Sequence, residues 1–142
     1  MLGKSFFHYL RYQRGLSQAR TDTSSSEMAA LRKYSSEKRN IAELGVYHGA
    51  SSRVLRESMA VDGNLWCVDP FFKDRLGFSY GLSIAKREIN KSRNGNMTIL
   101  RGLSQEVAKG WKQQIEFLFI DADHSYDAVK SDWENWSVFV EV

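Results

Sequence analysis

After Asn40 the sequence changes rhythm, and short apolar runs begin to alternate with stretches whose apolar residues recur at helical spacing. The apolar runs are Ile41 to Val46, Asn64 to Asp69, Met97 to Arg101 and Ile115 to Asp121. Helical patterns lie between them: Val54, Leu55 and Met59 share one face, as do Leu82, Ala85 and Ile89. Strands joined through helices pair in parallel, because a parallel connection needs a crossover of a dozen or more residues. The expectation is an α/β fold: a parallel sheet with helices on both faces. The run Ile115 to Asp121 is the most apolar, as befits a strand covered on both sides, which places it at the sheet centre.

The junction after the first run is the most informative stretch. Ile41 to Ser52 reads as a buried strand ending in Glu43, then a turn punctuated by Gly45 and Gly49, then Ser51 and Ser52 placed to cap a helix starting near Arg53. A strand, turn and helix of this kind presents free backbone N–H groups and the positive end of a helix dipole at one mouth of the sheet. Without a Cβ, Gly45 and Gly49 let a ligand come close to the main chain. The Gly-x-x-x-Gly spacing lacks the three glycines of the dinucleotide fingerprint and serves equally well in a plain tight turn.

The remaining chain supports one domain, the usual outcome for 142 residues. Residues 1–39 read as an N-terminal arm and a helix, and residues 40–142 as the βα domain. The arm, to about Thr23, is expected to pack only partly and to shield the ligand mouth or meet a partner. Ser24 and Glu27 form a capping box before a helix that runs to about Tyr34. Lys4, Arg11, Arg14, Arg20, Arg32, Lys33, Lys38 and Arg39 concentrate the positive charge before Asn40. They include no dense run of like charge, so a solvated helix face accounts for them and no strong nucleic-acid or membrane signal is present.

Cys67 is the only cysteine, which excludes an internal disulfide and fits a reducing, cytoplasmic setting. The aromatic stretch from Phe6 to Tyr12 is interrupted by His8 and Arg11 and is too short to span a bilayer. Further on, Ser104 reads as a helix N-cap. Tyr126, Val129, Trp133 and Trp136 recur at helical spacing and are expected to lie against the sheet. Residues 138–142 either prolong that helix or begin another strand.

Three acids sit at what should be one edge of the sheet: Glu43 just inside the first strand, Asp69 closing the second and Asp121 closing the fourth. Ligands of open α/β sheets bind outside the carboxyl ends of the strands. Asp69 stands roughly 20 to 25 residues beyond Gly45, the spacing at which an acid accepts hydrogen bonds from ribose hydroxyls. An Asp before Pro70 is equally at home as a turn residue.

Four segments together, Glu43-Leu-Gly-Val-Tyr-His-Gly-Ala-Ser-Ser, Val68-Asp-Pro-Phe, Gly102-Leu-Ser-Gln-Glu and Phe119-Ile-Asp-Ala-Asp-His-Ser-Tyr, resemble the class I S-adenosylmethionine-dependent methyltransferases. The resemblance is strongest to the branch of metal-dependent sugar and macrolide O-methyltransferases and spans about Asn40 to Trp136. It implies a Rossmann-like sheet of strand order 3-2-1-4 and S-adenosylmethionine as cofactor. It implies that Glu43, Gly45, Gly49 and Ser51 belong to the motif holding the amino-acid end of the cofactor, and that Asp69 binds its ribose. By the same resemblance Leu103 and Ser104 lie beside the adenine, Asp121 borders the cofactor and ligates magnesium in metal-dependent members, and His124 matches a general base. His124 also fits a solvated loop histidine, and His48 fits a backbone-supporting or partner-facing role.

The family domain continues with three more strands and further metal ligands, so this chain reads as a truncated methyltransferase or part of a longer one. Asp123 would then be the only carboxylate beside Asp121, too few for a magnesium site that usually takes about six oxygens. The free edge of the fourth strand calls for cover by a terminal segment, another subunit or further sequence. The leading expectation is O-methylation of a small-molecule or sugar hydroxyl. The competing one is a catalytically silent cofactor binder acting through a protein partner. A nicotinamide-dependent half-domain would share Asp69 but lacks the Gly-x-Gly-x-x-Gly turn.

Overall fold

The computed structural model of the protein describes residues 3–141. Four strands, β1 (Asn40–Leu44), β2 (Asn64–Asp69), β3 (Asn96–Arg101) and β4 (Phe117–Ile120), form one sheet in the order β3-β2-β1-β4. All pairings are parallel, and the register aligns Leu44 with Val68 on one side and with Ile120 on the other. The carboxyl ends of all four strands therefore share one rim. The α/β class, the parallel pairing and the expected strand order are all present.

The helices are α1 (Lys4–Gln13), α2 (Ser25–Ser35), α3 (Ala50–Ser58), α4 (Tyr80–Ile89), α5 (Ser104–Ala108) and α6 (Tyr126–Trp136). Alternation along each strand divides the apolar residues between two layers. Ile41, Leu65 and Cys67 pack with Leu31 of α2, Val54 and Leu55 of α3, and Ala85 and Ile89 of α4. Ala42, Leu44 and Val68 pack on the opposite face with Ala108 of α5 and Trp136 of α6. Between two strands and two helical layers, β1 is the best-covered element, with Ile41, Ala42, Glu43 and Leu44 all fully buried. Among the described residues no helix is long and apolar enough to cross a membrane.

Three expectations need correction. First, β4 lies at the edge of the sheet, and its four residues are only half-buried. Its apolar character reflects two covered faces, while among the described residues its outer side carries one parallel bridge, from Ile115 just before β4 to Val140. That bridge rests on Ile115 N donating to Phe139 O and Glu141 N donating to Ile115 O, each at 2.9 Å. Residues 137–139 form a 3₁₀ turn, so the chain leaves α6 and starts along β4; Val142 lies outside the described residues.

Second, Trp136 alone of the four large α6 residues is fully buried. Tyr126 and Trp133 are 79% and 57% exposed, and Val129 also faces outward. Tyr126, Val129 and Trp133 share an outward stripe, whereas Asp132 and Trp136, four apart, turn towards α5 and the sheet. Third, the segment expected as an arm that packs only partly forms a helix, α1, which packs on α4 and buries His8 and Tyr12 while its other residues stay exposed or half-buried. The Tyr12 hydroxyl donates to Glu88 Oε2 at 2.6 Å, and the same carboxylate receives Arg53 and Lys91, each at 2.7 Å.

The rim is held tightly where β1 ends. Gly45 N donates to Val68 O at 2.9 Å and Asp121 N to Leu44 O at 2.8 Å, so three chains converge within one residue of Gly45. Gly45 has φ +87°, and a Cβ there would collide with the Asp121 carbonyl and the Ala122 Cα. What the missing Cβ admits is thus the backbone leaving β4. Gly45→Ala is expected to lower the unfolding free energy by about 2–4 kcal/mol, combining left-handed strain with overpacking. Gly77→Ala, at φ +79° with nothing within 4 Å of the added carbon, is expected to cost about 1–2 kcal/mol. Urea denaturation of both variants checks this, and equal losses would contradict the close-approach reading of Gly45.

Candidate functional site

A cavity of about 780 Å³ opens at the carboxyl rim. Of the residues singled out in the sequence, Gly45, Ser51, Asp69, Leu103, Ser104, Asp121 and His124 border it. Glu43 and Gly49 stand behind its wall rather than on it. Gly49, at φ +77°, is the N-cap of α3, and a Cβ there would press on Ala85 and Ile89 at 3.0–3.1 Å. Its bareness therefore serves the packing of α3 on α4.

The serine pair does not cap α3. No side chain caps this helix. The Ser51 and Ser52 hydroxyls instead donate to the two oxygens of Glu43, beneath the first turn. The physical reason is burial: Glu43 is fully enclosed at the centre of the sheet, and a polar group there must find partners. Burial pushes its carboxyl up to about 8, against the opposing pull of the two serine hydroxyls, with Asp121 and Asp69 adding to the rise. Burial therefore favours the protonated form of Glu43. The uncapped first turn leaves its amides free near Ala50 and Ser51 on the cavity wall, the kind of arrangement that receives a carboxylate.

Asp69 organises the mouth. Its Oδ2 accepts from Val46 N at 2.9 Å and Tyr47 N at 3.0 Å, and its Oδ1 accepts from Phe71 N at 2.7 Å. One carboxylate thus fixes the turn after β1 and the turn after β2. With three of about four acceptor positions engaged, one remains on Oδ1 for a ligand hydroxyl.

Across the cavity, Leu103 is the N-cap of α5 and is 42% exposed. Ser104, expected as that cap, is the first helical residue. Its hydroxyl donates to Asp132, and its carbonyl accepts from Trp136 Nε1 at 3.2 Å, so it is drawn towards α6. Asp121 is half-buried, and burial raises its carboxyl above the ordinary range although His124 and the Thr23 hydroxyl oppose this. His124 is exposed in the loop before α6. Asp123 accepts from Ser125 N at 2.8 Å, a bond that holds its carboxyl below the usual range. Among the described residues no three His, Cys, Asp or Glu side chains converge as a metal-holding group. Asp121 and Asp123 by themselves do not fit a magnesium site.

The N-terminal segment, expected to shield the ligand mouth or meet a partner, lies at the cavity, through residues that its sequence does not single out. Arg20, Thr21 and Asp22 border it, and Thr23 Oγ1 donates to Asp121 Oδ2 at 3.5 Å. This strap is fastened by His48, whose Nδ1 accepts from Arg20 N at 3.1 Å. Burial, with His8 and Arg20 nearby, lowers the His48 imidazole to about 4, so it is neutral and able to accept. Tyr47 and Phe72 also line the wall. The strap has no periodicity that would reveal its position.

Comparison with known proteins bears on the family and the fold. A family model described as a methyltransferase domain matches residues 42–141. The O-methyltransferase from Bacillus cereus, solved in complex with SAH, superposes with a TM-score of 0.68 at 18% identity, covering 99% of this chain and 63% of that one. The O-methyltransferase TomG from Streptomyces achromogenes, involved in tomaymycin synthesis and solved with SAM, gives 0.69 at 13% identity, covering 99% and 62%. This chain therefore spans about six-tenths of the length of these structures, and at such identities the likeness establishes the Rossmann-like fold.

The buried Glu43 sets a pH dependence of stability. Its pKa is raised from 4.5 in the unfolded chain to about 8 in the folded one, so the folded chain holds a proton that the unfolded chain releases. Its contribution is complete below about pH 4.5 and is lost as pH rises to about 8. Glu43→Gln, which keeps the shape and a hydrogen-bonding head, is expected to flatten the decline between pH 5.5 and 8.5 in urea melts. Parallel pH profiles for variant and wild type would contradict a protonated Glu43.

Proposed function

The chain belongs to the methyltransferase-domain family, and on that premise we propose that it is an S-adenosylmethionine-dependent methyltransferase acting on a hydroxyl of a small molecule or sugar. The observation that carries the reading is the meeting of an uncapped helix N-terminus, the Asp69 carboxylate and the Leu103 edge around one cavity of about 780 Å³. A volume of this order suits a ligand the size of a nucleoside conjugate. The free amides at the start of α3, with the Ser51 backbone, take the carboxylate of the amino-acid end. Asp69 takes a ribose hydroxyl on its remaining acceptor position, and Leu103 gives the adenine an apolar edge.

When bound, S-adenosylmethionine supplies a methyl group made electrophilic by its positively charged sulfur. The protein's work is to hold the acceptor oxygen in line with that methyl and to take the proton the oxygen sheds. Asp121 and Asp69 put negative charge at the rim where a cation is to be held. His124, exposed at the cavity edge, receives the acceptor proton at an imidazole nitrogen. No step is assigned to magnesium, because the described carboxylates do not form a site for it. A cytoplasmic setting fits the single, buried, free Cys67.

A second reading is a cofactor binder that acts through a protein partner without turnover. It draws on the outward apolar stripe of α6, with Tyr126 and Trp133 exposed, and on the β4 edge, which a second subunit or a further segment would cover. Transfer of labelled methyl from S-adenosylmethionine to hydroxyl acceptors separates the two.

Asp69→Ala is expected to weaken binding of S-adenosylhomocysteine by about ten- to a hundredfold, the loss of about 1–3 kcal/mol for a charged acceptor. Calorimetry showing unchanged affinity would contradict the ribose role. His124→Ala is expected to leave that affinity within about twofold and to reduce turnover by about 10²–10⁴, the usual scale of a general base. Turnover retained in the variant would assign the proton to another group.

A further inference from the structure

A second cavity, of about 740 Å³, adjoins the first. Arg20, Tyr47, Phe72 and Gly81 border both, so these residues form the partition between them. The second cavity lies among α1, the start of α4 and the loop after β2, and its composition differs from that of its neighbour.

Its walls are aromatic. Phe6 meets Tyr80 edge-on at 5.9 Å, and Phe78 lies 4.8 Å from Tyr80. His8 and His48 stack at 5.2 Å with their rings 6° from parallel, and His48 in turn stacks on Tyr47 at 4.1 Å. Such flat faces and edges accept a planar ring.

Its charge is positive. Arg20, Lys73 and Arg75 line it, and none of the three takes part in an ion pair among the described residues. The one acid on the wall, Asp74, is turned into its own loop, where its Oδ1 accepts from Leu76 N and Phe78 N, each at 2.9 Å. Three cations and one carboxylate around an aromatic hollow leave an excess of positive charge that a bound anion would balance. Two of them are guanidinium groups, whose forked donors match a carboxylate.

We propose that this second cavity is a binding site for a planar aromatic carboxylate, occupied independently of the cofactor cavity and separated from it by Tyr47 and Arg20. Ring stacking between the aromatic walls orients the ligand, and Lys73 and Arg75 hold its charge at the open side. The proposal does not depend on the methyltransferase reading, since it concerns residues on the other side of the partition.

Calorimetric titration of the whole chain with 2-naphthoate tests it, with 2-naphthamide removing the charge and cyclohexanecarboxylate removing the ring. Saturable one-to-one binding of naphthoate is expected, at least tenfold tighter than either analogue and retained when S-adenosylhomocysteine is saturating. The double variant Lys73→Glu, Arg75→Glu changes exposed residues outside the first cavity. It should weaken naphthoate at least tenfold and leave S-adenosylhomocysteine affinity unchanged. Absence of naphthoate binding, equal affinity for the amide, full affinity in the double variant, or displacement by S-adenosylhomocysteine would each overturn the proposal. Failure of S-adenosylhomocysteine to bind at all, with naphthoate still binding, would count against the cofactor reading alone.

Discussion

The geometry of the rim depends on the Asp69 carboxylate. By accepting from Val46, Tyr47 and Phe71 it ties the turn after β1 to the turn after β2, two segments that no strand pairing reaches. Charge-assisted bonds to backbone N–H groups are among the stronger ones, and here three converge on one side chain. The consequence is a main-chain wall of fixed shape, from Gly45 to Tyr47, facing the cavity. The residue proposed to meet the ligand is thus also the residue that holds the wall beside it.

Beneath that wall the sheet supplies a polar post inside an apolar layer. Glu43 is enclosed on β1 and shared between Ser51 and Ser52, which fixes the start of α3 over the strand it follows. A protonated carboxyl suits this position because one serine hydroxyl can donate to it while the other accepts a hydrogen bond from it, leaving no bare charge in the core. Gly45 and Gly49 then allow β4 and α4 to close in from either side. Strand end, helix start and neighbouring chains are locked as a unit, and the free amides of α3 are aimed by that lock.

What the sequence revealed was whatever rests on local chemistry. The apolar run from Asn64 to Asp69 is β2, the helical face of Leu82, Ala85 and Ile89 lies in α4, and the Ser24 and Glu27 capping box is formed as written. Side chains recruited over long distances were hidden. Ser51 and Ser52 look like caps until Glu43 is seen beneath them, and α1 looks like an arm until Tyr12 reaches Glu88. The β4 run reads the same in a central strand as in an edge strand with both faces covered, so composition could not set its place. The α6 rings follow helical spacing faithfully, but spacing identifies a shared face without saying what that face meets. Of the candidate site, the strand-end acids and the turn were legible because topology brings them to one rim. That the N-terminal segment would shield the mouth was an expectation, but the particular residues 20–23 were not legible, since their place follows from long-range bonds to His48 and Asp121.

The claim at the centre is that the carboxyl rim of the sheet, and no other surface, receives the adenosyl cofactor. Amide chemical shifts of the ¹⁵N-labelled chain during titration with S-adenosylhomocysteine test it residue by residue. The account predicts saturable shifts at Gly45, Tyr47, Ala50 and Leu103, with Asn64 and Asn96, at the amino ends of their strands, unmoved. Rim amides that stay still while ligand is bound, or shifts confined to the amino ends of the strands, would contradict it.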